Sequence, residues 1–217
     1  KFHNLEFDLY NHLIKNNKLK FVKFNSKLID IGTPRDLNNA KLFFKKYKNR
    51  FYLLLDRDGV INIDFGYINT FKKIVFNKKI FQIIKHCNNL KIPIFVITNQ
   101  SGIARGMFKE KELININDKI SEYLLSKDLY INKFYYCPHH IDGKVLKYIK
   151  LCECRKPKIG LIKILKKEWY LSSNNCLMIG DKSIDKEFAK NLKCDFLYVK
   201  NNKIDVSKVI NKINNYV

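Results

Sequence analysis

The chain has 217 residues, 46% of them hydrophobic, and its 42 basic side chains against 20 acidic ones give a net charge of +22. Such a chain can bury a core for one generous domain, or for a domain and a fragment, and no apolar run approaches the length of a membrane span. With no signal peptide either, a soluble cytoplasmic protein is expected, and Lys1 in place of an initiating Met points to a piece of a longer chain.

The charge is nearly all lysine, with Arg35, Arg50, Arg57, Arg105 and Arg155 the exceptions. The lysines run the whole length of the chain among Asn and Ile, which reads as a compositional bias and a solvated coat. No nucleic-acid-binding signature accompanies them, so no nucleic-acid partner is expected. The cysteines Cys87, Cys137, Cys152, Cys154, Cys176 and Cys194 are expected to stay reduced in a chain of this kind.

Residues 5 to 16 read as a helix with Leu5, Leu9 and Leu13 on one face, followed by apolar runs from Leu19 to Phe24 and from Leu28 to Ile31. Thr33 as N-cap and Pro34 in the first turn start a second helix through about Tyr47, its apolar side formed by Leu37, Ala40, Leu42, Phe43 and Phe44. From Phe51 strands and helices alternate. Strands are predicted at 51–55, 92–98, 133–136, 176–179 and 196–199, and helices near 78–90, 109–125, from Pro157 onward, near 184–192 and from about 206. This alternation implies a parallel sheet covered on both faces, an α/β fold of the Rossmann-like type. The boundary of the working domain is placed at 50/51, with residues 1–50 as an extension.

Three strands end in reactive sequence. Phe51-Tyr-Leu-Leu-Leu runs into Asp56-Arg57-Asp58-Gly59, and alternate strand positions share a face, so Asp56 and Asp58 can converge beyond the strand end. The second predicted strand ends in Thr98-Asn99-Gln100-Ser101-Gly102 and the fourth in Gly180-Asp181-Lys182, with Asp185 one turn later. Mg²⁺ takes hard oxygen ligands, which Asp56 and Asp181 can supply, while a hydroxyl at Thr98 and a lysine can hold phosphoryl oxygens. Cys137-Pro-His139-His140 followed by Cys152-Glu-Cys154 offers three thiols and an imidazole, the composition of a closed structural zinc shell, with either histidine available.

Asp56-x-Asp58-Gly-Val, Thr98-Asn, Lys156 and Gly180-Asp181-x-x-x-Asp185 resemble the four signature motifs of the haloacid dehalogenase superfamily of phosphatases. With Asp64-x-Gly66-Tyr67, Thr98-Asn-Gln-Ser-Gly-Ile-Ala-Arg105-Gly, Tyr136-Cys-Pro-His-His140, Cys152-x-Cys154-Arg-Lys-Pro157 and Gly180-Asp-Lys182, the chain resembles the heptose 1,7-bisphosphate phosphatase branch from Phe51 to about Val199. Val60 replaces the threonine more usual in the first motif. The resemblance implies Asp56 as nucleophile and Asp58 as general acid and base, with Thr98 and Lys156 steadying the phosphoryl group. It implies Mg²⁺ on Asp56, the Asp58 carbonyl and Asp181, and structural Zn²⁺ on Cys137, His139, Cys152 and Cys154. It assigns a phosphosugar substrate to Asp64, Gly66, Tyr67, Asn99, Gln100, Ser101, Arg105, Arg155 and Lys182. Histidinol-phosphate phosphatases share the catalytic motifs and the zinc loop, and the Gly102-Ile-Ala-Arg-Gly106 run tilts the reading away from them.

Earlier in the chain, Ile29-Asp-Ile-Gly-Thr-Pro-Arg-Asp36 with Ala40 resembles the C-terminal end of the catalytic domain of sugar-phosphate nucleotidyltransferases. The glycine-rich nucleotide loop of those enzymes is absent from the sequence, so no transferase activity is expected of it. The resemblance implies fusion to a nucleotidyltransferase domain in the longer chain.

Overall fold

A computed structural model describes residues 9–20, 29–45, 50–171 and 174–216. The chain forms two compact units, Lys1–Phe43 and Phe44–Val217. In the first, α1 (Tyr10–Lys15) and α2 (Pro34–Lys45) are described. The early part of the first expected helix with Leu5, residues 21–24 of the first apolar run, Leu28 of the second, and residues 46–49 at the end of the expected second helix lie outside the described residues. α2 starts as the sequence dictates: Asp36 N donates to Thr33 Oγ1 at 3.2 Å and Thr33 N to Asp36 Oδ2 at 3.1 Å, a reciprocal cap. Of its apolar side, Ala40 is buried, whereas Leu37 and Leu42 are exposed.

The second unit contains β1 (Tyr52–Leu55), α3 (Lys78–Asn89), β2 (Ile94–Asn99), α4 (Glu110–Leu125), β3 (Lys133–Cys137), α5 (Gly160–Trp169), β4 (Cys176–Gly180), α6 (Ser183–Leu192), β5 (Asp195–Tyr198) and α7 (Val206–Asn214). The strands form one parallel sheet in the order β3-β2-β1-β4-β5. β1 is central and its four side chains are fully buried, which is why its sequence is unbroken apolar rather than alternating. Leu53 and Leu55 pack with Ile94, Val96 and Leu177 against α3, α4 and α7, while Tyr52 and Leu54 pack with Phe95, Ile97 and Met178 against α5 and α6. The aromatic run at 134–136 lies on an edge strand, so only Tyr135 is buried and Phe134 and Tyr136 are partly covered. Cys87 and Cys176 are core thiols, and Cys194 is half-buried.

One predicted boundary is corrected. The helix expected to open at Pro157 opens at Gly160. Asn99 takes both main-chain groups of Lys156, accepting from its N at 3.0 Å and donating to its O at 3.1 Å, and Lys158 N closes a turn onto Arg155 O at 2.9 Å. That segment cannot also begin a helix. Gly160 then passes so close to Glu153 O that a Cβ on it would lie 2.3 Å from that oxygen.

All strands run the same way, but the order in which they are added reverses at β1. The succession β1, β2, β3 builds outward on one side, and β4, β5 on the other. Loops leaving β1 and β4 therefore diverge, and the crevice left between them at the carboxyl edge of the sheet is where open α/β folds bind ligands.

Candidate active site and metal centres

Asp56 and Asp58 leave β1, Thr98 and Asn99 end β2, and Asp181 follows β4, so the three reactive stretches of the sequence meet at that crevice. The cleft there has a volume of about 460 Å³ and is lined by Asp56, Asp58, Thr98, Lys156 and Asp185, with Asp64, Gly66, Tyr67, Asn99, Gln100, Ser101, Arg155 and Lys182 around them. Arg105 is the one expected substrate residue that the structure does not bring into the cleft; its Nη2 lies 3.3 Å from the ring of His140.

Lys156 is buried and donates to Asp56 Oδ1 at 2.8 Å and to Asp185 Oδ1 at 2.6 Å. Burial raises the pKa of Asp56 and Lys156 pulls it down, but Asp185 and Asp58 add to the rise, leaving it above the ordinary carboxylate range. Asp181 is likewise pushed up to about 6 by burial, with Lys182 opposing and Asp185 adding. One lysine among these carboxylates does not balance them. Ligand oxygens of Asp56, Asp181 and Asp185 lie within 4.8 Å of one another, and Asp181 Oδ1 is buried without a hydrogen-bond partner. A hard, crowded oxygen set with an orphaned acceptor fits Mg²⁺. Gly59 makes room for it: its φ is +92°, and a Cβ would sit 2.1 Å from Asp181 Oδ2.

The carboxylate of Asp58 turns away from this set. Arg57 grips it with Nε at 3.1 Å and Nη2 at 2.9 Å, Asn62 Nδ2 donates to Oδ1 at 3.0 Å and Gln100 Nε2 to Oδ2 at 2.8 Å. Burial alone would raise its pKa, but Arg57 and these donors outweigh that and hold it below the usual carboxylate range. Gln100 also donates to Thr98 Oγ1 at 2.9 Å, which orients the hydroxyl. At the mouth, Lys182 donates to Asp64 Oδ2 at 2.6 Å, and Asp64 Oδ1 accepts from Gly66 N at 2.8 Å.

The second centre gathers Cys137, His139, Cys152 and Cys154. Sulfur pairs are separated by 3.1 Å (Cys137 to Cys154), 3.3 Å (Cys152 to Cys154) and 3.5 Å (Cys137 to Cys152), and His139 Nδ1 lies 3.2 Å from Cys154 Sγ. A tetrahedron with zinc–sulfur bonds of about 2.3 Å has edges of roughly 3.8 Å, so the donor set fits zinc with slight expansion. The structure separates the two histidines that sequence chemistry left equivalent. His140 Nδ1 accepts from Asp142 N at 3.1 Å, and its ring lies against Arg105. Arg155 Nη1 donates to His139 O at 3.3 Å, so the loop that could hold zinc also aims Arg155 at the cleft.

Sequence reasoning left out Arg57, Asn62 and Asn117 as members of the site, and gave Asp185 no role of its own. A signal existed for one of them. On α4, Leu113, Ile116, Ile120 and Leu124 are buried at helical spacing, and Asn117 interrupts that face while buried itself. Its Oδ1 accepts from Arg57 Nη1 at 3.3 Å.

Comparison with known proteins agrees with this geometry. The family described as polynucleotide kinase 3 phosphatase matches residues 67–208. A D-glycero-beta-D-manno-heptose-1,7-bisphosphate 7-phosphatase from Haemophilus influenzae is 35% identical over 133 residues, covering 61% of this chain and 72% of that protein. The corresponding alpha enzyme of Campylobacter jejuni is 38% identical over 139 residues, 64% of this chain and 76% of that protein. Among solved structures, a protein from Mesorhizobium loti described as a HAD-like phosphatase superposes with a TM-score of 0.71 at 26% identity, covering 77% of this chain and 88% of that one. A D,D-heptose 1,7-bisphosphate phosphatase from B. bronchiseptica, solved with magnesium and phosphate, has the same fold at a TM-score of 0.66 and 22% identity, over 77% of this chain and 99% of that one. The chain belongs to the polynucleotide kinase 3 phosphatase family, within the haloacid dehalogenase-type phosphatases to which the heptose 1,7-bisphosphate 7-phosphatases it resembles also belong.

Proposed function

We propose that residues 51–217 form a Mg²⁺-dependent phosphatase that removes the 7-phosphate of a heptose 1,7-bisphosphate on the way to a nucleotide-activated heptose. The observation that carries the reading is Asp56 at the end of the central strand, facing the cleft and held by Lys156 at 2.8 Å, with Asp58 two residues on. The similarity to curated heptose bisphosphate phosphatases supports the substrate.

In the first step a carboxylate oxygen of Asp56 attacks phosphorus and the bond from phosphorus to the sugar oxygen breaks, leaving an aspartyl-phosphate. Asp58 gives a proton to the departing oxygen. Arg57 favours the ionised form of Asp58 in the free cleft, and the negative charge of an incoming phosphoryl group would favour its protonation. In the second step Asp58 removes a proton from water, the water oxygen attacks phosphorus, and the bond to Asp56 breaks to release phosphate. Asp56, Asp181 and the Asp58 carbonyl would hold Mg²⁺, which would supply charge neutralisation for the phosphoryl oxygens. Thr98 and Lys156 steady those oxygens, and Asn99 keeps Lys156 in place through both of its main-chain groups. Asp64, Gly66, Tyr67, Gln100, Ser101, Arg155 and Lys182 face the remainder of the substrate. Zn²⁺ on Cys137, His139, Cys152 and Cys154 would act structurally, by pinning the loop that carries Arg155 and Lys156.

Residues 1–50 are read as the end of a sugar-phosphate nucleotidyltransferase domain, which would join this step to the next activation of the same sugar. Six thiols without disulfides suit the reducing cytoplasm. The test is phosphate release with Mg²⁺ from α- and β-heptose 1,7-bisphosphate, histidinol phosphate and a 3′-phosphorylated oligonucleotide, the last prompted by the family's description and the charge of +22. A heptose bisphosphate is expected to turn over fastest. A clear preference for histidinol phosphate or the oligonucleotide would overturn the substrate.

A further inference from the structure

Arg57 is a fully enclosed charged side chain beside the cleft, and no step of the mechanism uses it directly. Its guanidinium is held on three sides. Nε and Nη2 form a parallel pair of hydrogen bonds to the two oxygens of Asp58, Nη2 also donates to Gln100 Oε1 at 3.2 Å, and Nη1 donates to Asn117 Oδ1 at 3.3 Å. Asn117 comes from the middle of α4, sixty residues along the chain, on a face otherwise made of leucine and isoleucine. A polar amide there is costly unless it has a partner, and here its partner is the arginine behind the acid. Because guanidinium and carboxylate are both planar and the pairing is two-pronged, fixing the outer edge of the guanidinium fixes the plane of the carboxylate.

We infer that Asn117 and Arg57 are positioning residues, which set the direction in which Asp58 presents its proton to the leaving sugar oxygen. This rests on Asp58 serving as the acid. The amide of Asn117 stops the guanidinium from rotating, and Gln100 closes the frame by binding Arg57, Asp58 and Thr98 together. The α4 helix, which lines the core rather than the cleft, thereby acts on the chemistry.

The test separates proton delivery from general damage. A sugar alkoxide needs a proton to leave, and the phenolate of p-nitrophenyl phosphate does not, so kcat/KM on both substrates reports the acid step alone. For Asn117→Leu, kcat/KM on the heptose bisphosphate is expected to fall about tenfold or more, part of the 10²–10⁴ typical of a general acid, while the aryl phosphate changes less than about twofold. Asn117→Asp, which pulls Arg57 off Asp58, should show the same selectivity and keeps the test open if the leucine variant does not fold. In nitrogen-edited NMR spectra, with Arg57 assigned through Arg57→Lys, resolved Nη protons should merge in the Asn117→Leu protein. Equal losses on both substrates, or none, would overturn the inference. Asp58→Asn identifies the fault: if it too loses both activities equally, the acid reading of Asp58 fails, and if it is selective while the Asn117 variants are not, only the positioning role fails.

Discussion

Asp56, Lys156 and Asp185 form a buried row in which one cation bridges two anions. Removing the middle member leaves two carboxylates facing each other out of water, whereas removing the nucleophile's charge leaves the row nearly intact. The two substitutions should therefore separate. Asp56→Asn is expected to abolish turnover while the unfolding midpoint in denaturant stays near that of the parent; retained activity would remove Asp56 as nucleophile. Lys156→Met is expected to lose turnover by about 10² or more and also to destabilise the fold by about 3–5 kcal/mol, the usual result of stranding buried charge. Unchanged unfolding of Lys156→Met would mean that the row is not held by that lysine.

At the scale of elements, the site depends on two supports of different kinds. One is the apolar sheet. Leu54 lies in the centre of β1, fully buried against the layer of α5 and α6, and Leu54→Ala should cost about 2–5 kcal/mol by equilibrium unfolding, a loss below 1 kcal/mol arguing against tight packing there. The other is the loop from Cys137 to Cys154, which contains only a short 3-10 turn at Leu146–Tyr148 between the cysteines. On the proposed zinc reading, a loop so poor in regular structure would gain its order from the metal held by Cys137, His139, Cys152 and Cys154. Treatment with a zinc chelator, followed by dialysis against Mg²⁺, should release one equivalent of zinc by atomic absorption and reduce kcat/KM, because Arg155 and Lys156 follow Cys154 directly. Full activity in protein verified to be free of zinc would remove that coupling.

At the scale of the whole molecule, the chain carries a net charge of +22, while the catalytic groups of the cleft are mostly acidic. A bisphosphate should be drawn in by the long-range field rather than by contacts alone. Raising ionic strength from about 0.02 to 0.3 M shortens the screening length to below 10 Å, so kcat/KM on the heptose bisphosphate should fall several-fold while kcat is nearly unchanged. A kcat/KM insensitive to salt would show the lysines to be a solvated coat with no role in capture.

Strands, helices and the acids at strand ends were set by the sequence itself, because buried parallel strands require unbroken apolar runs and caps such as Thr33 act within one turn. The parallel α/β architecture and the meeting of Asp56, Thr98 and Asp181 follow from the same local information, given that crossover connections bring every strand's end to one edge. Which partner each polar group takes was decided only by the tertiary structure. Lys156 reaches Asp56 across a hundred residues and Asn117 reaches Arg57 across sixty, and no local pattern specifies either pairing. The same holds where two candidates stood side by side. His139 faces the thiols and His140 faces Arg105, which lies outside the cleft, because the direction of a loop side chain is set by what packs around it and not by its spacing. The start of α5 moved from Pro157 to Gly160 for a related reason: a distant amide, Asn99, claimed the main chain that a helix would have needed.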